Sequence, residues 1–538
     1  MAQRRTDLDA LRSFAMLLGI ALHASLSFLA FPWPVHDTQG SDLLPLFLVA
    51  IHGFRMPLFF LLSGYFTMLV YRRRGLKSLL EQRFTRIFLP LVIAVVTIMP
   101  LDMAIRRFAH RTIRPEPAIE EILTGDEAAV RQRLARPGAV ASKDAFYGLT
   151  PLAWGTLDGD PAVVAAVLDA GADVNERDGS GNTPLHVVAY FGRDAAGRVL
   201  VERGADVLAK NVAGRLPAAV MALPAEFAAE CAPLVGLNTL GVDDVLRGRE
   251  RLRDILPTGP NAEGTFGGPL DRMTLGWSRA LSSEWLRLRV GSWSLHLVDT
   301  NVFEHLWFLW FLCWLVVIFA VLAVTGLLPS GRGRAWLVAA SYLPQMVMGM
   351  SLAGFYGPDT SLGLLPKPHV LGYYACFYFY GVATFAAEGI DTRLGRHWKF
   401  LLPAAAVLFV AGLATMNNRT LATILQPAYA WTMALGLIGL FHRLFPHPRP
   451  AVSWLADASY WMYLVHVPLV MAAQLLIRQW PLPAELKFVV ILTTVTLLLL
   501  ASYRWCVRYT AIGSLINGPR SFPADSRVGQ VNEVRQVR

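Results

Sequence analysis

Residues 303–326 read FEHLWFLWFLCWLVVIFAVLAVTG, and after His305 this stretch contains no charged side chain. A helix needs about 20 apolar residues to cross roughly 30 Å of hydrocarbon, so this stretch is long enough to span a membrane. Comparable apolar runs lie toward both ends of the chain, and a block rich in charges separates them. The sequence therefore predicts an all-α membrane protein that is interrupted by a water-soluble segment.

Apolar runs of spanning length or close to it predict a bundle of about ten transmembrane helices. They lie near residues 11–31, 43–70, 86–105, 303–326, 335–355, 370–388, 400–416, 424–441, 453–475 and 485–507. Lys and Arg are concentrated in the two termini and in alternate loops, whereas the opposite short loops contain only Lys367, Arg419 and Arg478. Because basic loops stay in the cytoplasm, we expect both termini to be cytoplasmic.

The composition excludes a single soluble globule and argues against nucleic-acid binding. Of the 538 residues, 54% are hydrophobic and only 16% are charged, compared with about 25% charged in soluble domains. The net charge of +10 is explained by helix-orienting Lys and Arg at membrane boundaries. The four cysteines are dispersed, so neither a disulfide framework nor a metal site is expected. The first apolar run is longer than a signal-peptide core and is interpreted as a retained transmembrane helix.

Residues 106–300 form the charged block, with 22 basic and 25 acidic side chains. Within it, Gly148-Leu-Thr-Pro-Leu-Ala recurs 33 residues later as Gly181-Asn-Thr-Pro-Leu-His, and Gly171-Ala-Asp-Val recurs as Gly204-Ala-Asp-Val. This period and motif resemble ankyrin repeats. An ankyrin stack binds a protein partner or, when it is as short as this one, acts as a spacer.

The predicted domain organisation follows these boundaries. Residues 1–105 and 303–510 form the membrane domain, 106–236 the ankyrin insert, 237–302 a loop-rich connector, and 511–538 a disordered cytoplasmic tail. By span parity the insert is extracytoplasmic. The cluster Arg106, Arg107, Arg111 and Arg114 after the third span opposes export, although a long domain can override such a cluster.

The first helix carries candidate catalytic residues. Eleven helical steps separate Arg12 from His23, which places both on one face about 16 Å apart along the axis, with Asp9 one turn below Arg12. An ionisable residue at membrane depth is a functional-site hypothesis by default. Neutral His23 is suited to accept a proton from a hydroxyl as general base. The alternatives are a histidine bonded to a backbone carbonyl and an arginine that anchors the helix.

The second and third spans contribute further candidates. His52 and Arg55 lie one turn apart, and Arg55 could hold an anionic acyl group or a sugar, or could simply snorkel to the interface. Arg83 and Arg86 lie on one helix face and suit bidentate phosphate binding, although positive-inside anchoring also explains them. Ser63-Gly64 lacks the flanking pattern of a nucleophile elbow.

Polar side chains in the fourth and ninth spans complete the candidate set. They are His305 and Trp307 at the start of the fourth span, and Tyr463 and His466, three residues apart, in the ninth. For each of them a purely structural role is an equal alternative. No glycine-rich phosphate loop and no HExxH motif occurs in the chain.

Together these segments resemble the acyltransferase-3 family of integral membrane enzymes, most closely its glucan biosynthesis protein C branch. The similarity rests on the Arg12–His23 spacing, Ile51-His-x-Phe-Arg55-Met56, Phe59-Phe-Leu-Leu-Ser-Gly-Tyr-Phe66, the Arg83-x-x-Arg86 pair with Pro90, His305-Leu-Trp-Phe-Leu309 and Tyr463-Leu-Val-His466-Val-Pro-Leu469. The ankyrin insert departs from the family pattern.

The resemblance implies transfer of a succinyl or acetyl group from a cytoplasmic acyl-CoA to a hydroxyl of a periplasmic or cell-envelope glycan. His23, Arg12 and Asp9 would then be catalytic, and Arg83 and Arg86 would bind the donor. The acceptor or acyl-group pocket would be lined by His52, Arg55, Ser63, His305, Trp307, Tyr463 and His466.

The expected partners are the donor, the glycan, the lipid of a bacterial inner membrane and a protein bound by the insert. No permanent cofactor is expected. A transporter and a membrane-anchored ankyrin module are the alternatives.

Overall fold

The computed structural model describes most of the chain. The described residues are 5–29, 33–112, 121–122, 125–143, 149–178, 181–211, 214–221, 223, 225, 228–229, 240–257, 281, 284–290, 293–329, 331, 334–351, 357–387, 395–415 and 419–518. Their only sheet is a two-stranded antiparallel hairpin. The all-α, multi-span fold class predicted from the sequence is confirmed.

The membrane part is built from long helices with short helical turns between them. They are α1 (Thr6–Ser25), α2 (Leu44–Arg83), α3 (Leu89–Thr112), α11 (Trp307–Val324), α12 (Arg334–Ala340), α13 (Tyr342–Ser351), α14 (Pro368–Ala387), α15 (Trp398–Ala414), α16 (Arg419–Leu444), α17 (Pro450–Ile477), α18 (Ala484–Ser502) and α19 (Ala511–Asn517). Two π-helical turns, Phe84–Phe88 and Tyr503–Val507, interrupt the α-helical pattern.

Seven stretches of the described chain are long and apolar enough to cross a membrane. The stretch Leu44–Ala109 has 66 residues and would measure about 100 Å as one straight helix, far more than a bilayer core. The chain bends at Gly75, whose φ of 75° and ψ of 175° are not helical. The side chain of Arg83 reaches back to Thr67 (Nη2–Oγ1, 3.0 Å) across this bend. This stretch therefore contains two of the predicted spans.

Two of the ten predicted spans are not among these seven stretches. The prediction of one continuous helix over 335–355 is wrong, because α12 ends at Ala340 and α13 starts at Tyr342. Pro344 lies in the first turn of α13, where a proline is tolerated, but it cannot continue a preceding helix. The run 370–388 does form a helix, α14. The count of ten spans stays a prediction.

Glycines allow the helices at the centre of the bundle to approach closely. A Cβ on Gly64 of α2 would collide with the backbone of Tyr378 in α14, and one on Gly381 of α14 would collide with the backbone of Leu61. Small residues at such crossings are typical of membrane bundles. The Ser-Gly step within Phe59–Phe66 therefore has a packing role.

The outward faces of these helices are apolar. Large exposed hydrophobic side chains occur on the bundle surface, among them Val96, Val321, Val407, Leu476 and Leu497. Soluble proteins do not expose such surfaces over several neighbouring helices, whereas lipid covers them in a membrane protein. The pattern agrees with a multi-pass arrangement.

The insert is a separate helical stack with its own core. Its helices are α4 (Glu127–Leu134), α5 (Pro151–Asp158), α6 (Pro161–Asp169), α7 (Pro184–Phe191), α8 (Asp194–Glu202), α9 (Pro217–Val220) and α10 (Val242–Leu252). Thr150 and Thr183 precede the first prolines of α5 and α7, and the Thr150 hydroxyl accepts the Ala153 amide proton. These caps explain why the Thr-Pro-Leu element recurs.

His186 links two successive repeats. The backbone N–H of Thr183 donates to Nδ1 of His186 (3.1 Å), so Nε2 carries the proton and donates to the carbonyl of Arg215 (2.9 Å). Burial lowers the pKa of His186. This histidine therefore stabilises the stack in its neutral form.

The predicted connector and tail contain further structure. Helix α10 falls within the predicted connector, and its Val245 and Leu252 pack into the core of the repeats. The hairpin of β1 (Arg287–Val290) and β2 (Trp293–His296) precedes the return to the membrane. Helix α19 occupies the start of the predicted tail, and residues 519–538 lie outside the described residues.

Candidate active site

A cavity of about 760 Å³ runs between the helices of the membrane part. Its walls come from α1, α2, α3, α11 and α17, which are far apart in sequence. Every candidate site residue predicted from the sequence, except Asp9, lines this one cavity: Arg12, His23, His52, Arg55, Ser63, Arg83, Arg86, His305, Trp307, Tyr463 and His466. The fold therefore brings together residues that the sequence analysis could relate only by pattern.

Arg12, Arg83 and Arg86 form one end of the cavity, which we call the arginine end. A guanidinium nitrogen of Arg12 donates to the carbonyl of Ala456 (2.8 Å) and lies 3.5 Å from a carboxylate oxygen of Asp9. Asp9 is buried and does not line the cavity. Its position fits a role in holding Arg12.

Pro90 explains the local geometry of the arginine end. Proline has no N–H, so the carbonyl of Arg86, four residues earlier, receives no α-helical hydrogen bond at this point. The chain instead forms the π turn Phe84–Phe88, in which the amide of Leu89 bonds to the carbonyl of Phe84. Such π turns are frequent at functional sites.

Arg55 lies midway along the cavity. A Cβ on Gly19 of α1 would collide with Nη1 of Arg55, so the guanidinium rests against α1 at a position without a side chain. Because Arg12, Gly19 and His23 share a helix face, Arg55 lies between Arg12 and His23. In the described part of the chain its Nε has no hydrogen-bond partner, and no carboxylate forms an ion pair with it.

Three histidines, His23, His305 and His466, form the opposite end, which we call the histidine end. The ring centroids of His23 and His466 are 5.1 Å apart, and those of His466 and His305 are 5.3 Å apart. Nδ1 of His23 is buried without a hydrogen-bond partner among the described residues. The alternative in which this nitrogen of His23 is bonded to a backbone carbonyl is therefore not what the structure shows.

His305 is held by helix α17. Its Nε2 donates to the carbonyl of Leu464 (3.2 Å), and the hydroxyl of Tyr463 donates to the carbonyl of His305 (2.7 Å). The Leu464 carbonyl is available because Pro468, four residues on, has no N–H to offer it. The proline in the Tyr463–Leu469 motif thus creates the acceptor that orients His305.

Asp102 of α3 faces His305. Its Oδ2 is 3.7 Å from Nδ1 of His305, and neither carboxylate oxygen has a hydrogen-bond partner among the described residues. The side chain is only 1% exposed. A carboxylate this deep in an apolar span indicates a functional position.

The cavity closes beyond the histidine end with an ion pair. Nη2 of Arg106 lies 2.9 Å from Oε2 of Glu304, and the same guanidinium lies over the indole of Trp33, 5.8 Å from its centroid. Trp33 donates to Oε1 of Gln474 (2.8 Å), and Gln474 in turn donates to the carbonyl of His23 (3.1 Å). Glu304 has a φ of 44°, and backbone strain of this kind is frequent at functional sites.

The remaining predicted residues have supporting contacts. Nε2 of His52 donates to the carbonyl of Pro358 (2.9 Å). The carbonyl of Ser63 accepts the Thr67 hydroxyl (2.8 Å). Trp307 packs against the ring of Phe311, with centroids 5.0 Å apart. Each of these residues still borders the cavity.

Sequence reasoning missed four side chains at the histidine end: Trp33, Asp102, Arg106 as a lining residue, and Gln474. Asp102 had a usable signal, because it is the acidic residue inside the apolar run 86–105. Arg106 was interpreted as part of a basic cluster. Trp33 and Gln474 carry no signal in the sequence, since their role depends on contacts across more than 400 residues.

Within the described ranges, no group of three or more His, Cys, Asp or Glu side chains is arranged to hold a metal ion. Nε2 of His305 and Nδ1 of His466 instead donate to the backbone carbonyls of Leu464 and Tyr463. The cavity therefore offers cationic groups at one end and proton-accepting groups at the other.

Comparison with known families agrees with this geometry. The family described as "Acyltransferase domain" matches residues 5–118 and 268–504, on both sides of the insert. The chain belongs to this family. Ankyrin repeats match residues 156–196. The resemblance to this acyltransferase family and the ankyrin insert predicted from the sequence are both confirmed.

Curated relatives of this acyltransferase family member include proteins named glucans biosynthesis protein C. The protein of Shigella dysenteriae serotype 1 (strain Sd197) is 42% identical over 94 residues, and that of Escherichia coli (strain K12) is 40% identical over 94 residues. Each match covers 18% of this chain and 24% of the relative. The chain thus spans about a quarter of the length of these relatives.

Proposed function

We propose that the protein transfers a succinyl group from a cytoplasmic acyl-CoA to a hydroxyl of a periplasmic or cell-envelope glycan. The observation that carries this proposal is one cavity with the arginine end, Arg55 and the histidine end in succession. A transfer across a membrane needs a donor site and an acceptor site joined inside the bundle, and this cavity has that form.

The arginine end supports an anionic donor. The planar guanidinium of arginine donates two parallel hydrogen bonds to the oxygens of a phosphate, and arginine is the preferred side chain for this recognition. The acidic residues that line the cavity in the described chain, Asp102 and Glu304, belong to the histidine end. The phosphates of coenzyme A would therefore meet Arg83 and Arg86 without a competing carboxylate from the cavity wall, while Arg12 also lies 3.5 Å from Asp9.

The histidine end supports attack by a hydroxyl. As the new C–O bond forms at the thioester carbon, the O–H bond breaks and its proton passes to His23. The C–S bond breaks with its electron pair on sulfur, and His23 then returns the proton to the thiolate. General-base assistance of this kind contributes about 10²- to 10⁴-fold in rate.

Arg55 supports a succinyl rather than an acetyl group. A partly buried guanidinium deep in the bundle is costly without a carboxylate partner, and the free carboxylate of a succinyl group would supply that partner. An acetyl group carries no charge for it. The relatives are named glucans biosynthesis protein C, and a glucan acceptor is proposed here by analogy with them.

The first experiment compares envelope glycans from cells with and without the protein by mass spectrometry. Succinyl groups should appear on the glycan only when the protein is present. His23→Gln should lower their incorporation by about 10²-fold or more at unchanged membrane abundance. His442→Gln is the matched control, since His442 is half-exposed and does not border the cavity.

Arg55→Gln tests the identity of the acyl group. Transfer from succinyl-CoA should fall more than transfer from acetyl-CoA, so the preference between the two donors should shift toward acetyl. An equal loss for both donors would contradict the assignment of Arg55 to the acyl carboxylate. Movement of glycan across a vesicle membrane without acylation would favour the transporter alternative.

We also propose that the protein lies in a bacterial inner membrane with cytoplasmic termini and an extracytoplasmic insert. Glu202 in α8 and Lys77, which follows the bend of α2 at Gly75, are both exposed, and each is replaced by cysteine in turn. In a background without the native cysteines, an impermeant thiol reagent should label position 202 in cells with a permeabilised outer membrane, and position 77 only after lysis. The reverse pattern would place the insert in the cytoplasm.

A further inference from the structure

His466 lies beside His23 at the histidine end but takes no part in the proton transfer described above. Helix α17 carries it, and its ring centroid is 5.1 Å from that of His23. The ring is 2% exposed. The question is whether His466 only fills space or acts on His23.

The hydrogen bond at Nδ1 fixes the tautomer of His466. This nitrogen is 2.8 Å from the carbonyl oxygen of Tyr463 on the preceding turn of the same helix. A carbonyl can only accept, and a neutral imidazole carries one proton, so Nδ1 is the donor and Nε2 has a lone pair. Nε2 is therefore a hydrogen-bond acceptor.

The ring that carries that acceptor packs against the ring of His23, which also has an unsatisfied nitrogen. Nε2 of His466 and Nδ1 of His23 are both buried, and neither has a hydrogen-bond partner among the described residues. Unsatisfied buried polar groups are rare in folded proteins and call for a specific explanation. Two such groups lie on the adjacent rings of His23 and His466. Because Nε2 of His466 can only accept, a proton on Nδ1 of His23 would explain both.

We propose that His466 is a positioning residue for His23. During transfer, Nε2 of His466 accepts a hydrogen bond from Nδ1–H of His23, a bond that the structure itself does not show between these two nitrogens. This bond leaves the lone pair of His23 on Nε2. This inference rests on the proposed acyl transfer. When Nε2 of His23 takes the hydroxyl proton, His466 remains neutral and stabilises the imidazolium through the same Nδ1–H bond, until the proton returns to the thiolate sulfur.

The surroundings of His466 favour its neutral form. Burial in the bundle disfavours a charged ring, and the ring of His305 packs edge-on against it at an interplanar angle of 83°. Arg55 and Arg106 add positive charge to the cavity, which opposes a second proton on His466. The acceptor on Nε2 is therefore maintained while His23 gains and loses its proton.

A measurement of tautomers tests this proposal without substrate. The purified protein is labelled with ¹⁵N-histidine, and the His23→Gln variant identifies the signals of His23. Nitrogen chemical shifts should show Nδ1 of His23 protonated and Nε2 unprotonated. A neutral His23 with its proton on Nε2 would overturn the proposal, whatever the activity of the protein.

Kinetics of two substitutions at His466 give a second test. His466→Leu, which removes the acceptor, should lower kcat by about 10²-fold with little change in the KM for the donor. His466→Gln retains an acceptor oxygen and should recover much of this loss. His442→Gln should behave as wild type. If His466→Leu transfers acyl groups at the wild-type rate, the positioning role is wrong.

The two tests separate this inference from the function on which it rests. If the wild-type protein transfers no acyl group to any hydroxyl, the proposed function fails. The tautomer of His23 can still be measured in that protein. If transfer occurs but the tautomer is the opposite one, only the role of His466 fails.

Discussion

At the scale of single residues, two buried carboxylates differ in how they affect the stability of the fold. Asp37 is 1% exposed and pairs with Nζ of Lys487 at 2.7 Å. Asp102 is equally buried, but its carboxylate oxygens have no hydrogen-bond partner among the described residues. A buried charge that lacks a partner reduces stability, whereas removal of one member of a buried pair strands the other charge. Replacement of Asp by Asn should therefore change the free energy of unfolding in opposite directions at positions 102 and 37.

We expect Asp102→Asn to raise the free energy of unfolding by about 1 kcal/mol, because the amide can donate to Nδ1 of His305. The same variant should transfer acyl groups about tenfold more slowly, since a negative charge near the histidines stabilises the imidazolium that forms during transfer. Thermal unfolding of the purified protein and the acyl-transfer assay measure the two effects.

Asp37→Asn is the matched control. It should lower the free energy of unfolding by about 3 kcal/mol, since Lys487 is left unpaired in the bundle. A fall in stability for both variants would show that Asp102 has a structural partner and would contradict a functional role for it.

The sequence predicted which residues share a face of one helix. It did not predict which residues of different helices come into contact. The positions of Arg12 and His23 on one face follow from helical geometry alone. Trp33, Gln474 and the contact of Asp102 with His305 depend on which helices become neighbours. No spacing within a single segment contains that information.

At the scale of elements, prolines inside helices place acceptors where the site uses them. In α17, Pro468 leaves the carbonyl of Leu464 to bind His305. In α15, Pro403 also lies inside a helix, but it is exposed and does not border the cavity. Replacement of a proline by alanine restores its backbone N–H. The effect of this change on acyl transfer should therefore differ between Pro468 and Pro403.

We expect Pro468→Ala to slow acyl transfer about tenfold, because the restored amide competes with Nε2 of His305 for the Leu464 carbonyl. Thermal stability should rise at the same time, since a helix gains a backbone hydrogen bond. Pro403→Ala should leave the transfer rate unchanged. Equal rates for wild type and Pro468→Ala would show that His305 does not need this acceptor.

Helices were predictable where hydropathy alone determines them. The apolar run 303–326 contains the candidate span Glu304–Val324. The sequence analysis did not predict the break between α12 and α13, because the run 335–355 carries no charged side chain and only the position of Pro344 signals the break. Helix α10 was missed for another reason: its apolar face is visible as such only against the repeats on which it packs.

At the scale of the whole molecule, the chain combines two units with different charge. Outside residues 106–300 there are 27 basic and 14 acidic side chains, and inside them 22 basic and 25 acidic. The family match on both sides of the insert shows that one membrane domain has been divided in sequence. The repeat period predicted the insert, whereas the way in which its two ends meet could be learned only from the structure.

The Arg106–Glu304 ion pair joins the two ends of the insert. Arg106 lies near the end of α3 and Glu304 lies just before α11, 198 positions further along the chain, yet their charged groups are 2.9 Å apart. Insertions are tolerated when the chain leaves and re-enters a domain at nearby points. The membrane domain should therefore fold without the repeats.

We expect replacement of residues 113–283 by a flexible linker of about eight residues to leave acyl transfer to an added short glucan intact. The cavity, the histidine end and the Arg106–Glu304 pair all lie outside the deleted segment. Acylation of the native envelope glycan in cells should fall if the repeats recruit the acceptor or a partner protein, and should be unchanged if they are a spacer. Loss of transfer to the added glucan, in a variant that still unfolds cooperatively, would show that the insert contributes directly to the site.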